Sequence, residues 1–475
     1  MIKQLTLAIA VAGAVSACSM APKFQRPDAP IAVAYPAKSP ESTRTAAAAQ
    51  IGWQDFFKDA RLKALIASAL ENNRDLRIAA LRIEEARALY NVQSADMLPT
   101  LSVTASGQRA RVPAGLGSGG ATTSIIGSRY DVGVSLASFE LDFFGRVRSL
   151  SDAALASYLA TEEAQRSAQI SLVAEVAKAY LNERAFAEQL ALAQRSFESR
   201  RSSYDLAQKR FEVGATSALD LRQFESLMQS ARVSMMTLAR QRAQAENALV
   251  LLTGKPLAAN LPAAQPLSDQ GVLADIPAGL PSDLLENRPD IRQYEQRLQA
   301  ANANIGAARA AFFPRIALTA SRGTASGTLA GLFDAGSGAW SFAPQLVLPI
   351  FDAGRNIANL NVSEARKNIA VAEYERSIQS AFREVADALV ARGLLNEQVD
   401  AQAAVMAAES ERLKLSQARY DNGIASSLDV LDAQRQLFAA EQSLVQARLL
   451  RLTNAIDLYR SLGGGIKVGN QPQPS

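Results

Sequence analysis

One side chain in this sequence is placed for covalent chemistry, and it is Cys18. It is the only cysteine among 475 residues, and it follows a short apolar run, residues 5–15, and two small residues. A basic start, an apolar core and small residues before a cysteine resemble a bacterial lipobox, where cleavage makes the cysteine the acylated first residue. We therefore expect residues 1–17 to be a removed signal peptide and Cys18 to carry a covalent lipid. Ser19 after it, rather than an aspartate, favours sorting to the outer membrane.

Histidine and a second cysteine, the partners that most catalytic and metal-binding sites would need, are missing from the sequence. The chain contains no histidine, which removes histidine-based catalytic triads and the usual zinc sites. A single cysteine also excludes a disulfide within one chain. The 50 basic and 46 acidic side chains leave a net charge of +4 and are spread along the sequence, so nucleic-acid binding is not indicated. We expect no enzyme, and no cofactor beyond the covalent lipid.

Two carboxylates and two matched turns are further candidates for a functional role. Asp429 and Asp432 would share one face of a helix, although such a pair is usually only a solvated surface. In each turn a glycine ends one helix and a serine begins the next, as C-caps and N-caps do, which predicts two helical hairpins. The first turn consists of Gly214, Ala215, Thr216 and Ser217, and the second turn of Gly423, Ile424, Ala425 and Ser426.

The two turns belong to a duplication that covers most of the chain. Residues 70–106 match residues 285–321, and Pro314 follows Pro99 by 215 positions. In a second block, which includes the turns, the spacing is 209. A repeat of this length means two copies of one supersecondary unit. We predict an acylated extended tether over residues 18–50, repeat 1 over 51–283, repeat 2 over 284–465 and a flexible tail over 466–475.

Each repeat contains a predicted β-hairpin, at about residues 99–139 and 314–350. In repeat 1, Leu101, Val103 and Ala105 alternate with polar residues, and residues 130–136 alternate in the same way. Half-apolar strands are typical of barrel walls and also occur in soluble sandwiches. In repeat 2 we expect a strand over residues 316–321, a glycine-rich loop from Gly323 to Gly338, and a return strand that carries Trp340, Phe342, Leu346 and Leu348.

Two helices of unusual length are predicted after the β-hairpins. No glycine or proline lies between Gly145 and Gly214, and only Gly393 interrupts the equivalent stretch of repeat 2. A helix of this length would reach roughly 100 Å at about 1.5 Å per residue. We therefore predict long helical hairpins over residues 146–254 and 355–463, with coiled-coil-like assembly. A further helical pattern runs from Trp53 to about Met97, before the first strand.

The sequence contains no apolar stretch of the roughly 20 residues that a transmembrane helix needs. A form that spans a membrane would therefore need a closed β-barrel, and four strands alone leave open edges. A dimer would supply eight strands around a filled interior, whereas a trimer would supply twelve and leave a lumen. Because a lumen permits passage, we predict a homotrimer.

With these elements in place, the sequence resembles the TolC-like outer-membrane factor family, in its NodT/OprM-type lipoprotein branch. The resemblance extends over nearly the whole chain after Cys18, and the duplication adds to it. Its most specific elements are Arg288-Pro289-Asp290-Ile291, the strand entry at residues 308–314, the segment at residues 141–146, and Tyr420 with Gly423 before residues 428–433.

The resemblance implies a mainly α fold with membrane β structure. It implies a homotrimer with a 12-stranded β-barrel, four strands per chain, continued by a long periplasmic α-helical barrel. Such proteins sit in the outer membrane, in contact with its lipid, and form the exit duct of a tripartite efflux system for drugs or other small amphipathic compounds. The implied partners are a periplasmic adapter and an inner-membrane pump, of the RND type or another.

The resemblance also implies roles for the candidate residues. Asp429 and Asp432 match the family's aperture rings, where symmetry brings like charges together around the pore. Asp220 and Tyr420 match a latch in which a phenol hydrogen-bonds a carboxylate, and the two turns match the docking sites for the adapter. Ala425 departs from the pattern, because some members carry an arginine there that adds a further latch. Gating would then depend more on the carboxylates.

Three alternatives stay open at this point. A protein-secretion duct or a metal-efflux duct would have the same fold. A lipid-anchored coiled-coil scaffold would explain Cys18 and the long helices, but it would leave the alternating strands unexplained.

Overall fold

A computed structural model describes residues 19–32, 34–35, 48–114, 123–272, 276 and 281–466. The expected signal peptide and Cys18 lie outside the described residues, as do much of the expected tether and nearly all of the expected tail. The elements in chain order are α1 Trp53–Phe56, α2 Ala60–Asn72, α3 Arg74–Ala95, β1 Leu101–Val112, β2 Ile125–Leu141, α4 Arg146–Glu212, α5 Ala218–Thr253, α6 Asp283–Asn287, α7 Pro289–Ala310, β3 Arg315–Ser326, β4 Gly338–Val347, α8 Arg355–Asp421 and α9 Ser427–Ser461.

The helical pattern predicted from Trp53 to about Met97 is confirmed as three helices, because two polar side chains divide it into α1, α2 and α3. The Asp59 carboxylate accepts hydrogen bonds from the backbone N–H groups of Arg61 and Leu62 and so begins α2. The Asn73 side chain accepts from the N–H of Leu76 at 2.9 Å and begins α3 in the same way. Side chains that bind backbone N–H groups favour helix starts over helix interiors.

The two long helices are confirmed. Helices α4 and α8 each contain 67 residues without a break, and Gly393 lies within α8. Helices α5 and α9 return from them to complete the two predicted helical hairpins. None of the described helices is both long enough and apolar enough to cross a membrane.

Strands β1 to β4 form one antiparallel sheet in sequence order, as the two predicted β-hairpins require. The central pairing joins β2 of repeat 1 to β3 of repeat 2. The glycine-rich loop was predicted to begin at Gly323, and this is wrong, since β3 continues to Ser326. Gly323 faces Gly133 across the sheet, and a Cβ atom on Gly323 would lie 2.1 Å from the carbonyl oxygen of Val132. These two glycines therefore permit a close approach of β2 and β3.

The two faces of the sheet differ in polarity. Residues directly opposite each other on neighbouring strands share a face. One face, which we call the apolar face, has exposed side chains such as Leu101, Val103, Trp340 and Phe342. The other, the polar face, has a row of serines in register across all four strands, Ser102, Ser135, Ser321 and Ser341. In this row Ser102 contacts Ser135 at 3.1 Å, and Ser321 contacts Ser341 at 2.7 Å, through their hydroxyls.

The chain forms two compact units, and each takes segments from both repeats. The sheet unit consists of residues up to Asp28, Arg82–Glu162 and Gln293–Tyr374, and the hairpin unit of Ala29–Leu81, Glu163–Arg292 and the residues from Glu375.

In the sheet unit an N-terminal arm, residues 19–28, lies along α7. Arg26 forms two hydrogen bonds of 2.8 Å with the Glu295 carboxylate, and the Asn302 amide donates to the carbonyl of Pro22 at 2.7 Å. Gly306 leaves room for the arm, because a Cβ atom there would come within 2.7 Å of the backbone nitrogen of Ala21. The arm therefore contacts α7 at three points along the helix, at Glu295, Asn302 and Gly306.

In the hairpin unit the core contains stacked aromatic rings and a buried arginine. Phe56 stacks on Tyr459 with 3.9 Å between ring centroids, and the Tyr459 hydroxyl donates to the carbonyl of Ile51 at 2.6 Å. Arg288 pairs with Asp290 and with Glu384, the latter at 2.9 Å, and donates to the carbonyl of Ser461 at 3.0 Å. Arg288 therefore joins the start of α7 to α8 and to the end of α9.

Candidate functional site at the helical turns

The two turns have the same backbone geometry. Gly214 and Gly423 have φ angles of 74° and 72°, a left-handed conformation that glycine adopts at little cost. In the first turn the N–H of Ala215 donates to the carbonyl of Arg210 at 2.7 Å, and in the second turn Ile424 donates to Arg419 at 2.9 Å. Both bonds cap the carbonyl end of a long helix, so the predicted C-caps are confirmed.

The predicted N-caps are confirmed at Ser217 and Ser426. The Ser217 hydroxyl accepts from the N–H of Asp220 at 3.1 Å and donates to its carboxylate at 2.7 Å. Ser426 and Asp429 form a reciprocal capping box, in which the N–H of Ser426 donates to the Asp429 carboxylate at 3.1 Å. Asp220 and Asp429 therefore occupy equivalent positions, and both carboxylates stabilise the start of a return helix.

Two polar contacts join the first turn to the second. The Ser427 hydroxyl donates to the Asp220 carboxylate at 3.1 Å, which connects α9 to α5. Arg210 donates to the phenol oxygen of Tyr420 at 2.8 Å, and its guanidinium lies 5.7 Å from the centre of that ring. Hydrogen bonds from Ser217 first, and then from Ser427, hold the pKa of the Asp220 carboxyl below its usual value.

The structure places Asp220 and Tyr420 at the same two turns, each bound to another residue of its own chain. Asp220 accepts from Ser427 and Tyr420 accepts from Arg210. The latch between Asp220 and Tyr420 stays a prediction.

Asp432 lies one helical turn beyond Asp429 and has two cationic partners. Its carboxylate pairs with Arg412 on α8 and with Arg435 on α9, and Arg412 also pairs with Glu409 at 3.1 Å. The hydrogen bond from Arg412 and the charge of Arg435 lower the pKa of Asp432. If Asp432 forms the expected ring of like charges, each carboxylate of that ring would therefore have Arg412 and Arg435 of its own chain beside it.

Four partners at this site were absent from the sequence-based predictions: Arg210, Arg412, Ser427 and Arg435. Arg435 follows Asp432 by three residues, a spacing that predicts contact on a helix. Arg412 and Asp432 lie at similar distances before and after Gly423, so the symmetry of a helical hairpin would have brought them together. No such signal exists for Arg210 or Ser427, because their partners belong to the other repeat.

Exposed apolar side chains surround these polar contacts. Val213, Leu219, Ile424 and Leu428 are each more than half exposed. Leu219 and Leu428 also line a groove between α5 and α9, together with Leu227, Leu431, Arg222 and Arg435. Among the described residues no cluster of acidic side chains is arranged to hold a metal ion.

Comparison with known proteins places this geometry in a family. The chain matches the family described as Outer membrane efflux protein over residues 65–255 and 280–464, so the two matched segments correspond closely to the two repeats. It is 48% identical over 478 residues to the toluene efflux pump outer membrane protein TtgF of Pseudomonas putida, with 98% of each chain covered. It is also 48% identical over 458 residues to the outer membrane protein OprJ of Pseudomonas aeruginosa, with 96% of this chain and 95% of OprJ covered.

A solved structure agrees with the sequence relatives. The crystal structure of the open state of the MtrE outer membrane channel of Neisseria gonorrhoeae is 43% identical, with a TM-score of 0.87, and the match covers 95% of this chain and 99% of that one. The resemblance to outer-membrane factors is thereby confirmed, together with the fold and the outer-membrane location that it implied. The chain therefore belongs to the outer membrane efflux protein family, and it is an outer-membrane channel that serves as the exit duct of an efflux system.

Proposed function

We propose that three copies of the chain assemble into one duct, whose closed end lies at the first and second turns. The observation that carries this proposal is the pair of contacts Arg210–Tyr420 and Ser427–Asp220, which hold the two helical hairpins of each chain together at their turns. Strands β1 and β4 are the edges of the sheet, and edge strands favour pairing with another chain. Three four-stranded sheets would close with twelve strands and a lumen.

The proposed cargo is small apolar or amphipathic compounds, including drugs. TtgF is described as part of a toluene efflux pump, and a duct of this kind conducts what its pump delivers. The channel itself has a passive role in this proposal, with no catalytic step. The finer alternatives, a protein-secretion duct or a metal-efflux duct, have no observation in their favour.

A periplasmic adapter and an inner-membrane pump, of the RND type or another, are the proposed partners. The exposed apolar side chains of the two turns and the groove between α5 and α9 support docking of the adapter at this end. Exposed apolar patches with a polar rim are typical of protein interfaces. Both turns, residues 214–217 and 423–426, would take part.

An acyl chain on Cys18 is proposed as a second membrane attachment. The arm that follows Cys18 is held on α7 by Arg26 and Asn302, so the anchor would be connected to a fixed part of the fold. Mass spectrometry of protein purified from membranes would detect the acyl groups, and Cys18→Ser would remove them. An unmodified Cys18 in mature protein would contradict this part of the proposal.

Single-channel conductance in a planar bilayer tests the closed end. Asp432→Asn removes the charge that holds Arg412 and Arg435, whereas Asp429→Asn alters the capping box of the same helix and serves as the matched comparison. We expect a small, cation-favouring conductance for the wild type and a larger one for Asp432→Asn, with a smaller increase for Asp429→Asn. If assembled trimers of the wild type, Asp432→Asn and Asp429→Asn all failed to conduct, the proposed duct would be refuted.

Efflux in cells tests the adapter surface. An aspartate at Ile424 or Leu428 would place a charge on an apolar contact, so we expect assembled, conducting trimers that fail to confer efflux. Val233 is 64% exposed on α5 outside the turns, and Val233→Asp is the control. Equal loss of efflux in all three variants would show that the turns have no special part in docking.

A further inference from the structure

The two faces of the sheet also differ in how their charges are arranged. The strand carboxylates Asp131 and Glu140 lie on the polar face, where Arg129 pairs with Asp131. The register places Arg109 and Arg111 of β1 on the apolar face, opposite Ser128 and Ile126 of β2. In the described strands, no position of the apolar face carries an acidic residue.

The position of the two arginines along the strand is specific. From the helix end of β1 the apolar face runs through Leu101, Val103 and Ala105 to Gly107, whose partner on β2 is Tyr130. Arg109 and Arg111 follow directly, at the hairpin end. Tyrosine favours the boundary between hydrocarbon and headgroups. Tyr130 is the last aromatic residue of this face toward the hairpin end of β1 and β2, so we place the boundary at Tyr130, with the arginines just beyond it.

Arg109 and Arg111 are both exposed, and each guanidinium group keeps N–H donors that have no acceptor among the described residues. Arg111 donates to the neutral hydroxyl of Ser124 at 2.9 and 3.1 Å. Neither Arg109 nor Arg111 has an acidic partner among the described residues, in contrast to Arg129. An arginine presents a planar fork of donors that matches a phosphate group in a bidentate manner. A third cation of the apolar face, Arg322, lies opposite Val134 and Trp340 in the strand register. This position is nearer the helix end of the sheet than Tyr130, so Arg322 is not part of the site.

We propose that Arg109 and Arg111 bind the phosphate groups of the glycolipid that forms the outer leaflet of the outer membrane. The hairpin end of the sheet faces outward, because the helices attached to the other end belong to the periplasm. Cations beyond the aromatic boundary meet lipid headgroups there, and phosphate is the anionic group that these headgroups offer. This inference depends on insertion of the sheet as proposed above, and it adds a lipid ligand that the duct itself does not need.

Binding of purified lipid A to the acylated trimer in detergent tests the proposal. The probes are phosphorylated lipid A and the same lipid after enzymatic removal of its phosphates, measured by native mass spectrometry. For the wild type we expect the phosphorylated lipid to bind about tenfold more tightly, which corresponds to about 1.4 kcal/mol. Arg109→Gln/Arg111→Gln should abolish that preference. Arg129→Gln, on the polar face, should preserve it.

The outcomes separate the lipid site from the duct. Equal binding of the two lipids by the wild type would overturn the proposal, and so would an equal loss in Arg129→Gln. Single-channel conductance of the double variant should match that of the wild type, so a missing conductance in the wild type would count against the duct alone. If the glutamine pair prevents assembly, Arg109→Lys/Arg111→Lys keeps the charge without the fork, and an intermediate preference is expected.

Discussion

Arg210 on α4 donates a hydrogen bond of 2.8 Å to the phenol of Tyr420 on α8, and this contact crosses from repeat 1 to repeat 2. Arg210 lies in the last turn of its helix, and Tyr420 lies in the last turn of the equivalent helix. The same guanidinium lies against the face of the ring. One residue pair thus combines a polar and a cation–π contact between the two helical hairpins.

Loss of this contact should open the duct more often. Tyr420→Phe removes the hydrogen bond and keeps the ring, whereas Arg210→Ala removes both contacts, so we expect a moderate rise in conductance for the first and a larger one for the second. Arg419 is the equivalent of Arg210 in repeat 2 and is exposed, so Arg419→Ala is the matched control. A rise of the same size in the control would show that positive charge, and not the contact, sets the conductance.

Acid should release the Asp432 contacts only at low pH. The pKa of Asp432 lies below its usual value of 3.8, chiefly through Arg412, so its ion pairs are fully present at neutral pH and are lost as the pH falls through the folded-state pKa. We expect constant conductance between pH 7 and about pH 5 and an increase only below about pH 4. In Asp432→Asn this acid-dependent increase should be much smaller, and a transition near pH 6 would show that another group controls the closed end.

Gly306→Ala should release the N-terminal arm. A Cβ atom at this position would lie 2.6 Å from the Ser149 hydroxyl and 2.7 Å from the backbone nitrogen of Ala21, so the arm must shift. We expect faster tryptic cleavage after Lys23, detected by mass spectrometry of the products. Gly393 is also helical but has open space around it, so Gly393→Ala should leave the arm protected and stabilise α8 by about 0.5–1 kcal/mol. An arm that stays protected in Gly306→Ala would contradict the packing described for α7.

Replacing Arg288 should destabilise the hairpin unit. Its side chain is 9% exposed and serves Asp290, Glu384 and the carbonyl of Ser461. Arg288→Met would leave these acceptors without their cation, and we expect a cost of about 3 kcal/mol, at the low end for a broken buried pair. Arg292 is 47% exposed and pairs at 3.0 Å with the buried Glu163, which Arg166 also holds at 2.7 Å, so Arg292→Met should cost less than Arg288→Met. Denaturant titration of the purified protein measures both values, and equal costs would refute the role given to Arg288.

The features that could be predicted from the sequence are those with a regular period or a local cap. The alternation in β1, the glycine-free stretch of α4 and the serine caps at Ser217 and Ser426 depend on neighbouring residues, and the structure confirms all three. The breaks at Asp59 and Asn73 were missed because both residues interrupt a pattern that continues on either side. Their capping role depends on side-chain conformations, which the spacing of apolar residues along the sequence does not reveal.

The partners within the candidate site could be predicted only in part. The sequence placed Asp220, Tyr420 and Asp432 at the turns, because the repeat and the hairpins determine where those residues fall. It could not pair Arg210 with Tyr420 or Ser427 with Asp220, since those pairs depend on how two hairpins more than 200 residues apart in sequence lie side by side.

The pairing of β2 with β3 has a consequence for the history of the molecule. A chain with a single repeat would supply two strands, and six identical copies would be needed to build the twelve-stranded wall. Fusion of two repeats lets equivalent positions diverge. Position 420 is tyrosine where its equivalent, 211, is phenylalanine, and position 427 is serine where 218 is alanine. Each of the two hydrogen bonds between the turns therefore forms in one sense only, from Arg210 of repeat 1 to Tyr420 of repeat 2 and from Ser427 of repeat 2 to Asp220 of repeat 1. In a ring of six identical single-repeat subunits, every junction between neighbouring hairpins would be the same.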